Sequence, residues 1–200
     1  MSASVQRHPR FCELRDFLRA HPECLASWSG TLFRFQTVDF PAPRDVLSGE
    51  GARLRGGRWN APGLATLYGS TTDTTALEEC KANDRYYGVE TKSPRLLVAI
   101  EAQLARVLDL TNPATRRAIE VTLTELRSED WRKLLAGGKE SFSQALGRAV
   151  VAVNGNGLLA RSAAVHRGIN VVVFPSLGAD SHLEVIDGKK LEKLGIRTKI

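Results

Sequence analysis

The sequence has few of the residues that build disulfide or metal frameworks. Among its 200 residues are three cysteines and four histidines, and both kinds are scattered singly along the chain. An odd number of scattered cysteines without a C-x-x-C pair does not make a disulfide framework. Clustered Cys and His ligands, which a structural zinc site needs, are also missing. We therefore expect reduced cysteines and no metal.

Long apolar runs and the common nucleotide-binding motifs are missing too. No stretch approaches the roughly 18 apolar residues of a membrane span, and the N-terminus has no apolar segment of signal-peptide length. This predicts a soluble, cytoplasmic protein that does not associate with membranes. Neither G-x-G-x-x-G nor G-x-x-x-x-G-K occurs, which counts against doubly wound dinucleotide-binding folds and P-loop folds.

What the sequence does contain is a moderately basic chain of ordinary hydrophobicity. Hydrophobic residues make up 42%, the formal net charge is +6 and the pI is about 9.5. Two hundred residues suffice for one domain with a sizeable core. The charge permits an anionic partner such as a nucleotide, a nucleic acid or an acidic protein. A solvated basic surface would explain the charge equally well.

The spacing of apolar residues predicts an α+β fold. Strands are predicted at 31–38, 64–68, 94–100, 107–110, 158–160, 170–174 and 183–186, and helices near 11–18, 76–87, 113–136 and 141–151. Strands and helices do not alternate strictly, which favours α+β over a doubly wound sheet. The segment 40–57 is rich in Pro, Gly and charge and is predicted to be a long loop.

The stretch 54–63, Leu-Arg-Gly-Gly-Arg-Trp-Asn-Ala-Pro-Gly, is the strongest local candidate for an anion site. Gly56 and Gly57 lack a Cβ, so the backbone there can approach another group closely. Arg58 follows directly and presents a planar fork of donors to a phosphate or carboxylate. Arg34, near the end of a predicted strand, would clamp a diphosphate from a second side. Each arginine would equally suit a surface salt bridge, and Trp59 is expected to anchor the loop to the core.

Two neighbouring carboxylates and two serines leave alternatives open. Glu78 and Glu79 are predicted near the start of a helix, where the helix dipole stabilises a carboxylate. Either would also serve in a cleft to stabilise a developing positive charge. Ser162 follows a predicted strand, and Ser176 is a rival that suits a turn. Tyr68, at the end of a strand, would stack on a base or nicotinamide ring, or pack half-buried.

Together these features resemble the RES domain, a family named for its Arg, Glu and Ser. The likeness covers roughly residues 31–187 and runs in order through Leu32-Phe33-Arg34, Gly56-Gly57-Arg58-Trp59-Asn60, Tyr68, Ala76-x-x-Glu79, Asp130-Trp131, Gln144-Ala145-Leu146-Gly147, 157–163 and 170–174. The Ala-x-x-Glu spacing favours Glu79 over Glu78. The distance to the apolar run at 170–174 favours Ser162 over Ser176.

The resemblance implies an ADP-ribosyltransferase-like core of two packed, split β-sheets with surrounding helices. It places this RES domain over residues 31–200, after an N-terminal extension of residues 1–30 with one helix. Family members bind NAD⁺ and break its nicotinamide–ribose bond. They act as toxins of toxin–antitoxin pairs, each neutralised by an Xre-type antitoxin, and some degrade NAD⁺ by phosphorolysis or hydrolysis.

The resemblance also implies roles for individual residues. Glu79 would be the catalytic carboxylate, assisted by Arg58 and Ser162. Arg34 and Arg58 would hold the diphosphate together with the backbone at Gly57. Ser162 would position the ribose or carboxamide. Tyr68 would flank the nicotinamide.

The expected substrates and partners follow from the same resemblance. NAD⁺ is the expected substrate, with inorganic phosphate as a candidate co-substrate and no further cofactor. The expected partner is the antitoxin, in an oligomeric complex that contacts DNA only through the antitoxin. One alternative is an ADP-ribosyltransferase that modifies a protein target. Another is a basic nucleic-acid-binding module that uses Arg53, Arg55 and Arg58, although no helix-turn-helix, zinc knuckle or RRM phrase supports it.

Overall fold

The computed structural model describes residues 5–88, 94–176 and 178–197. The helices in these ranges are α1 (Phe11–Ala20), α2 (Pro43–Leu47), α3 (Glu50–Arg55), α4 (Asp73–Tyr87), α5 (Pro113–Ala118), α6 (Leu123–Ser128), α7 (Trp131–Ala136), α8 (Phe142–Ala152) and α9 (Gly188–Arg197). The strands are β1 (Leu25–Thr37), β2 (Leu67–Ser70), β3 (Arg95–Asp109), β4 (Gly157–Arg161), β5 (Ile169–Val173) and β6 (His182–Val185). None of the helices in the described ranges is long and apolar enough to cross a membrane.

The strands confirm the predicted α+β class and join in one continuous set of ladders. Their order is β1-β2-β5-β4-β3-β6, and β1 also pairs with β3. The β3–β4 pair is parallel, whereas the other pairs are antiparallel. Because β1 pairs with both β2 and β3, the ladders close on themselves and the sheet curls. The expected pair of separate sheets is not confirmed, since the two long strands β1 and β3 link both parts.

The two faces of this curled sheet bury two different hydrophobic clusters. Side chains alternate along β5, so Val172 points to one face while Val171 and Val173 point to the other. The cluster around Val172 includes residues of α1 and α8. The cluster around Val171 and Val173 receives side chains from all six strands, together with Val46 of α2 and Leu191 of α9.

The segment before residue 31 shares the first cluster. Leu14 and Leu18 of α1 are fully buried there against α8. The buried carboxylate of Glu140 accepts hydrogen bonds from the backbone N–H of His8 at 2.8 Å and from the Arg148 guanidinium, twice, at 2.7 Å. Burial opposes ionisation, but these bonds hold the pKa of Glu140 below its ordinary value. The division of the chain at residue 30 stays a prediction, and its outer ends, 1–4 and 198–200, lie outside the described residues.

Several element boundaries differ from the sequence-based expectation. β1 begins at Leu25 instead of Thr31, and β3 is one strand in place of the two predicted at 94–100 and 107–110. The long β1–β3 ladder explains both differences, because each strand supplies the hydrogen-bond partner for the other from one end to the other. The predicted loop at 40–57 contains the short helices α2 and α3.

Candidate active site

A cavity of about 1020 Å³ opens where β1 and β2 separate. The two strands are paired with each other only at Phe33 and Ser70 among the described residues. Along the rest of their length, β1 is paired with β3 and β2 is paired with β5. The gap is bordered by α3, α4 and the loop 56–59. Seven arginines and two carboxylates line it: Arg34, Arg55, Arg58, Arg95, Arg127, Arg132, Arg161, Glu79 and Asp84. This excess of positive charge suits an anionic ligand.

Glu79 lines the cavity from the second turn of α4. A hydroxyl caps this helix: the Thr72 side chain accepts a hydrogen bond from the Thr75 backbone N–H at 3.1 Å. The helix begins at Asp73, earlier than expected. The expectation that Glu79 lies at the helix start is therefore wrong, and the helix dipole does not account for the carboxylate.

One oxygen of the Glu79 carboxylate is fixed by two donors. Oε1 accepts hydrogen bonds from the Ser162 hydroxyl at 2.6 Å and from the Asn170 amide Nδ2 at 2.7 Å. The Asn170 amide is itself oriented, because the Ser70 hydroxyl donates to its Oδ1 at 2.8 Å. Within the described parts of the chain no donor contacts Oε2 of Glu79. That oxygen is left for a ligand.

The other carboxylate candidate, Glu78, lies on the exposed side of α4. Its Oε1 accepts a hydrogen bond from the Lys81 ammonium at 2.8 Å, and this bond lowers the pKa of Glu78. The carboxylate is thus paired at the surface, and Glu78 is not among the described residues that line the cavity. Of the two, the geometry brings only Glu79 to the other candidate residues.

Ser162 is held in a tight turn directly after β4. Its hydroxyl oxygen accepts hydrogen bonds from the backbone N–H groups of Ala164 and Val165, each at 3.0 Å. Its own N–H donates to the Gly168 carbonyl at 2.8 Å. With its hydroxyl proton directed to Glu79, the buried Ser162 is oriented by the backbone. Ser176 lines a separate cavity of about 480 Å³.

The glycine loop is built on protein contacts. Trp59 is buried in the core, at 4% exposure, as expected. The Gln144 side chain of α8 donates to the carbonyl oxygen of Gly57 at 2.9 Å. A Cβ at Gly57 would lie 2.5 Å from the hydroxyl oxygen of Tyr68. The close approach that requires glycine at this position is therefore an approach to Tyr68.

Tyr68 supports this loop with its hydroxyl group. The phenol oxygen accepts a hydrogen bond from the Trp59 N–H at 2.9 Å and donates to the Asn60 side-chain oxygen at 2.8 Å. Burial raises the pKa of Tyr68, so the phenol stays neutral. The residue also lines the cavity. Its expected position beside the nicotinamide stays a prediction.

Arg58 borders the cavity with its charge unneutralised. Its Nη1 donates to the carbonyl oxygens of Leu126 at 2.8 Å and Glu129 at 3.4 Å. The Glu129 carboxylate instead binds the first N–H groups of α8. In the part of the chain that the structure describes, Arg58 forms no ion pair with a carboxylate. Burial lowers the pKa of the Arg58 guanidinium, which nevertheless stays charged at neutral pH.

Arg34 is a second half-buried guanidinium without a carboxylate partner among the described residues. Its Nη2 donates to the Gln36 side-chain oxygen at 2.9 Å, so both residues lie on one face of β1. Its Nε is buried and has no hydrogen-bond partner among the residues that the structure describes. Burial lowers the pKa of Arg34 to about 10. A desolvated cation of this kind at a cavity wall favours an anionic ligand.

Asn170 and Ser70 are site residues that sequence reasoning did not single out. Asn170 lies 91 positions from Glu79, and only the pairing of β5 with β2 brings Asn170 opposite Ser70. The one signal in the sequence was a polar amide beside the run of three valines at 171–173. No cluster of three or more His, Cys, Asp or Glu side chains suited to a metal occurs in the described ranges.

Comparison with known proteins identifies the family of the chain. The model of the RES domain family matches residues 31–192. Two similar relatives, from Mycobacterium bovis and Mycobacterium tuberculosis, are each named NAD(+) phosphorylase MbcT; each is 33% identical over 140 residues, covering 66% of this chain and 72% of the relative. One chain in the crystal structure of the M. tuberculosis MbcT–MbcA toxin–antitoxin complex has a similar fold. It matches this chain with a TM-score of 0.62 and 23% sequence identity, and the match covers 92% of this chain and 97% of the chain in the complex. The chain belongs to the RES domain family.

Proposed function

We propose that this chain is an NAD⁺ phosphorylase, which breaks the nicotinamide–ribose bond and transfers the ADP-ribosyl group to inorganic phosphate. The observation that carries the proposal is Glu79, fixed through one oxygen by Ser162 and Asn170 in a cavity lined by seven arginines. The name of the relatives that are 33% identical supports the choice of phosphate as the acceptor.

The reaction needs stabilisation of a cation more than it needs an acid. When the bond between the ribose carbon and the nicotinamide nitrogen breaks, its electron pair goes to the nitrogen, and nicotinamide leaves as a neutral molecule. The ribose becomes oxocarbenium-like, and a nearby carboxylate lowers its energy. The free Oε2 of Glu79 accepts a hydrogen bond from the ribose 2′-hydroxyl. A phosphate oxygen then bonds to the ribose carbon, giving ADP-ribose 1″-phosphate, and a proton passes to water.

The two half-buried arginines hold the anions of this reaction. The diphosphate of NAD⁺ and the attacking phosphate both need cationic donors that are not already neutralised. Arg34 and Arg58 meet this requirement, since each bonds to neutral oxygens rather than to a carboxylate. Guanidinium groups bind phosphate oxygens with directed, charge-assisted hydrogen bonds. The loop around Gly57 forms one wall of the cavity, and the Gln144 side chain of α8 holds this loop in place.

The remaining predicted roles extend this assignment. Ser162 orients Glu79. The side chain is buried and is not among the described residues that line the cavity, so its predicted contact with the ribose stays a prediction. The neutral aromatic ring of Tyr68 packs against the nicotinamide, while its hydroxyl holds the loop 56–60 in place. The phenol contributes no charge. We assign it to ligand packing and loop support, and not to proton transfer.

We also infer an ADP-ribosyltransferase-like arrangement of the sheet. Two features support it: β1 and β2 part beyond Phe33 and Ser70, where the cavity opens, and one hydrophobic cluster contains side chains of all six strands. The two parts of the curled sheet thus pack face to face, and the ligand occupies the split between them.

The proposed biological role is that of a toxin controlled by an antitoxin. The similar chain of known structure comes from a toxin–antitoxin complex, and an enzyme that consumes NAD⁺ would need such control. We propose an Xre-type antitoxin as the partner, which would provide the only contact with DNA. Expression of the chain alone should stop growth of the host cells, and co-expression of the antitoxin should restore growth.

A direct nucleic-acid-binding function has less support. Arg53 is paired with the Glu50 carboxylate at 2.5 Å, and this bond raises the pKa of Arg53. Arg55 and Arg58 line the cavity. Of the three arginines that a nucleic-acid-binding module would use, one is thus paired with a carboxylate and the other two face the cavity.

The products of NAD⁺ turnover test the proposal. Purified protein is incubated with NAD⁺ in phosphate buffer and in a phosphate-free buffer, and mass spectrometry identifies the products. Nicotinamide and ADP-ribose 1″-phosphate should form only with phosphate. Free ADP-ribose in both buffers would show hydrolysis, and ADP-ribose attached to protein in a cell extract would show a transferase. Intact NAD⁺ in every sample would refute the proposal.

A further inference from the structure

The helix α4 runs along the cavity beyond Glu79 and ends in two tyrosines. Glu79, Asn83, Tyr86 and Tyr87 all line the cavity, and their spacing of three or four residues places them along one side of the helix. At a rise of 1.5 Å per residue, the tyrosines lie about 10 to 12 Å from Glu79 along the helix axis. The cavity therefore has a carboxylate at one place and an aromatic pair well removed from it.

These tyrosines are both accessible and held in place. Their exposures are 53% and 58%, and the two rings meet edge to face, with centroids 5.2 Å apart. The Arg132 guanidinium lies over the Tyr86 ring at 4.3 Å and over the Trp131 ring at 4.4 Å. It also donates to the Asn83 side-chain oxygen at 3.0 Å. The Arg132 cation, held against the Tyr86 and Trp131 rings, restrains Tyr86. Tyr86 in turn contacts the Tyr87 ring.

We propose that Tyr86 and Tyr87 form the binding site for the adenine base of the dinucleotide; this assignment rests on the proposed function. A dinucleotide carries a diphosphate and a second ribose between its nicotinamide–ribose bond and its adenine. With the bond at Glu79 and the diphosphate at Arg34 and Arg58, the base needs a site farther along the same cavity. A purine stacks on exposed aromatic rings with little demand on hydrogen bonding.

The site would make the enzyme selective for the whole dinucleotide. Nicotinamide mononucleotide contains the same scissile bond but lacks the adenine, so it would gain nothing from the tyrosines. Inorganic pyrophosphate would occupy the arginines alone. ADP would engage both the arginines and the tyrosines. These three compounds separate the base contact from the phosphate contacts and from the chemistry.

Direct binding tests the proposal without turnover. Isothermal titration calorimetry of ADP and of pyrophosphate compares the wild-type chain with Tyr86→Ala/Tyr87→Ala. Loss of stacking on an aromatic ring should weaken ADP binding roughly 5-fold to 100-fold and leave pyrophosphate binding unchanged. Tyr86→Phe/Tyr87→Phe keeps both rings and should bind ADP as the wild type does. Phe40→Ala is the matched control, because Phe40 is 58% exposed and is not among the described residues that line the cavity.

Three results would overturn the assignment. One is a wild-type chain that does not bind ADP; another is an alanine pair that binds ADP normally; and the third is an equal loss for ADP and pyrophosphate. An alanine pair that keeps ADP but no longer binds the antitoxin would show that the tyrosines contact a protein instead. ADP binding that depends on the tyrosines, without any turnover of NAD⁺, would refute the proposed reaction and leave the base site intact.

Discussion

Replacing Gly147 with alanine should destabilise the protein, although alanine is the better helix former. Gly147 lies inside α8, where intrinsic propensity alone favours alanine by about 1 kcal/mol. An added Cβ, however, would collide with the carbonyl oxygen of Trp59, well inside the 3.0 Å that real Cβ contacts keep. The carbonyl cannot yield freely, because Gln144 and Tyr68 hold the same loop. Overpacking of a core costs up to about 3 kcal/mol, and a clash with a fixed backbone carbonyl belongs at that upper end. After the gain of about 1 kcal/mol in helix propensity is subtracted, we expect a net loss of about 2 kcal/mol.

Urea unfolding followed by tryptophan fluorescence measures this change. The matched control is Gly51→Ala in α3, where an added Cβ meets no atom within 4 Å and where stability should rise by up to about 1 kcal/mol. The midpoint should fall for Gly147→Ala and not for Gly51→Ala, with similar slopes. A Gly147→Ala chain as stable as the wild type would refute the close packing of the glycine loop on α8.

Three further substitutions test other contacts. Glu140→Gln should lower the free energy of unfolding at pH 7 by about 3 kcal/mol, because it breaks a buried ion pair. Since the pKa of Glu140 is lowered in the folded chain, this difference should shrink as the pH falls below the ordinary carboxylate value of 4.5, and denaturation at several pH values checks it. Asn170→Ala should reduce kcat for NAD⁺ roughly 10-fold to 100-fold, as the loss of a hydrogen bond to a charged group would give, with circular dichroism unchanged. Tyr68→Phe should lower stability in thermal unfolding by about 1 to 2 kcal/mol, because the N–H of Trp59 loses its acceptor.

Local chemistry allowed the sequence to predict where two of the helices begin. Ser141 caps α8 and forms a capping box with Gln144. Asn112 caps α5, with Pro113 in the first turn. In each case the signal lies within four residues of the feature that it predicts. Such contacts depend little on the rest of the fold.

The continuity of β3 was missed although the sequence contains a local signal for it. The predicted strands at 94–100 and 107–110 leave out Glu101 and Gln103, yet Ile100, Ala102 and Leu104 alternate with these polar residues and are buried. The polar residues simply face away from the second cluster, so the alternation itself was the signal for one strand.

The candidate site was predicted as a set of residues rather than as a geometry. Sequence spacing and family resemblance favoured Glu79 and Ser162, and the structure brings these two together. The orientation of the carboxylate depends on Asn170, which reaches it only through the order of strands in the sheet. A role for the tyrosine pair at the end of α4 likewise follows only from its position in the cavity, which the structure shows.

The most direct test of the central claim compares two neighbouring carboxylates. NAD⁺ turnover in phosphate buffer is measured for the wild type, Glu79→Gln and Glu78→Gln, with folding verified by circular dichroism. Both changes remove one charge from the same helix, but only Glu79 lines the cavity. Nicotinamide release should be abolished in Glu79→Gln and remain at the wild-type rate in Glu78→Gln. Full release by a folded Glu79→Gln chain would contradict the account.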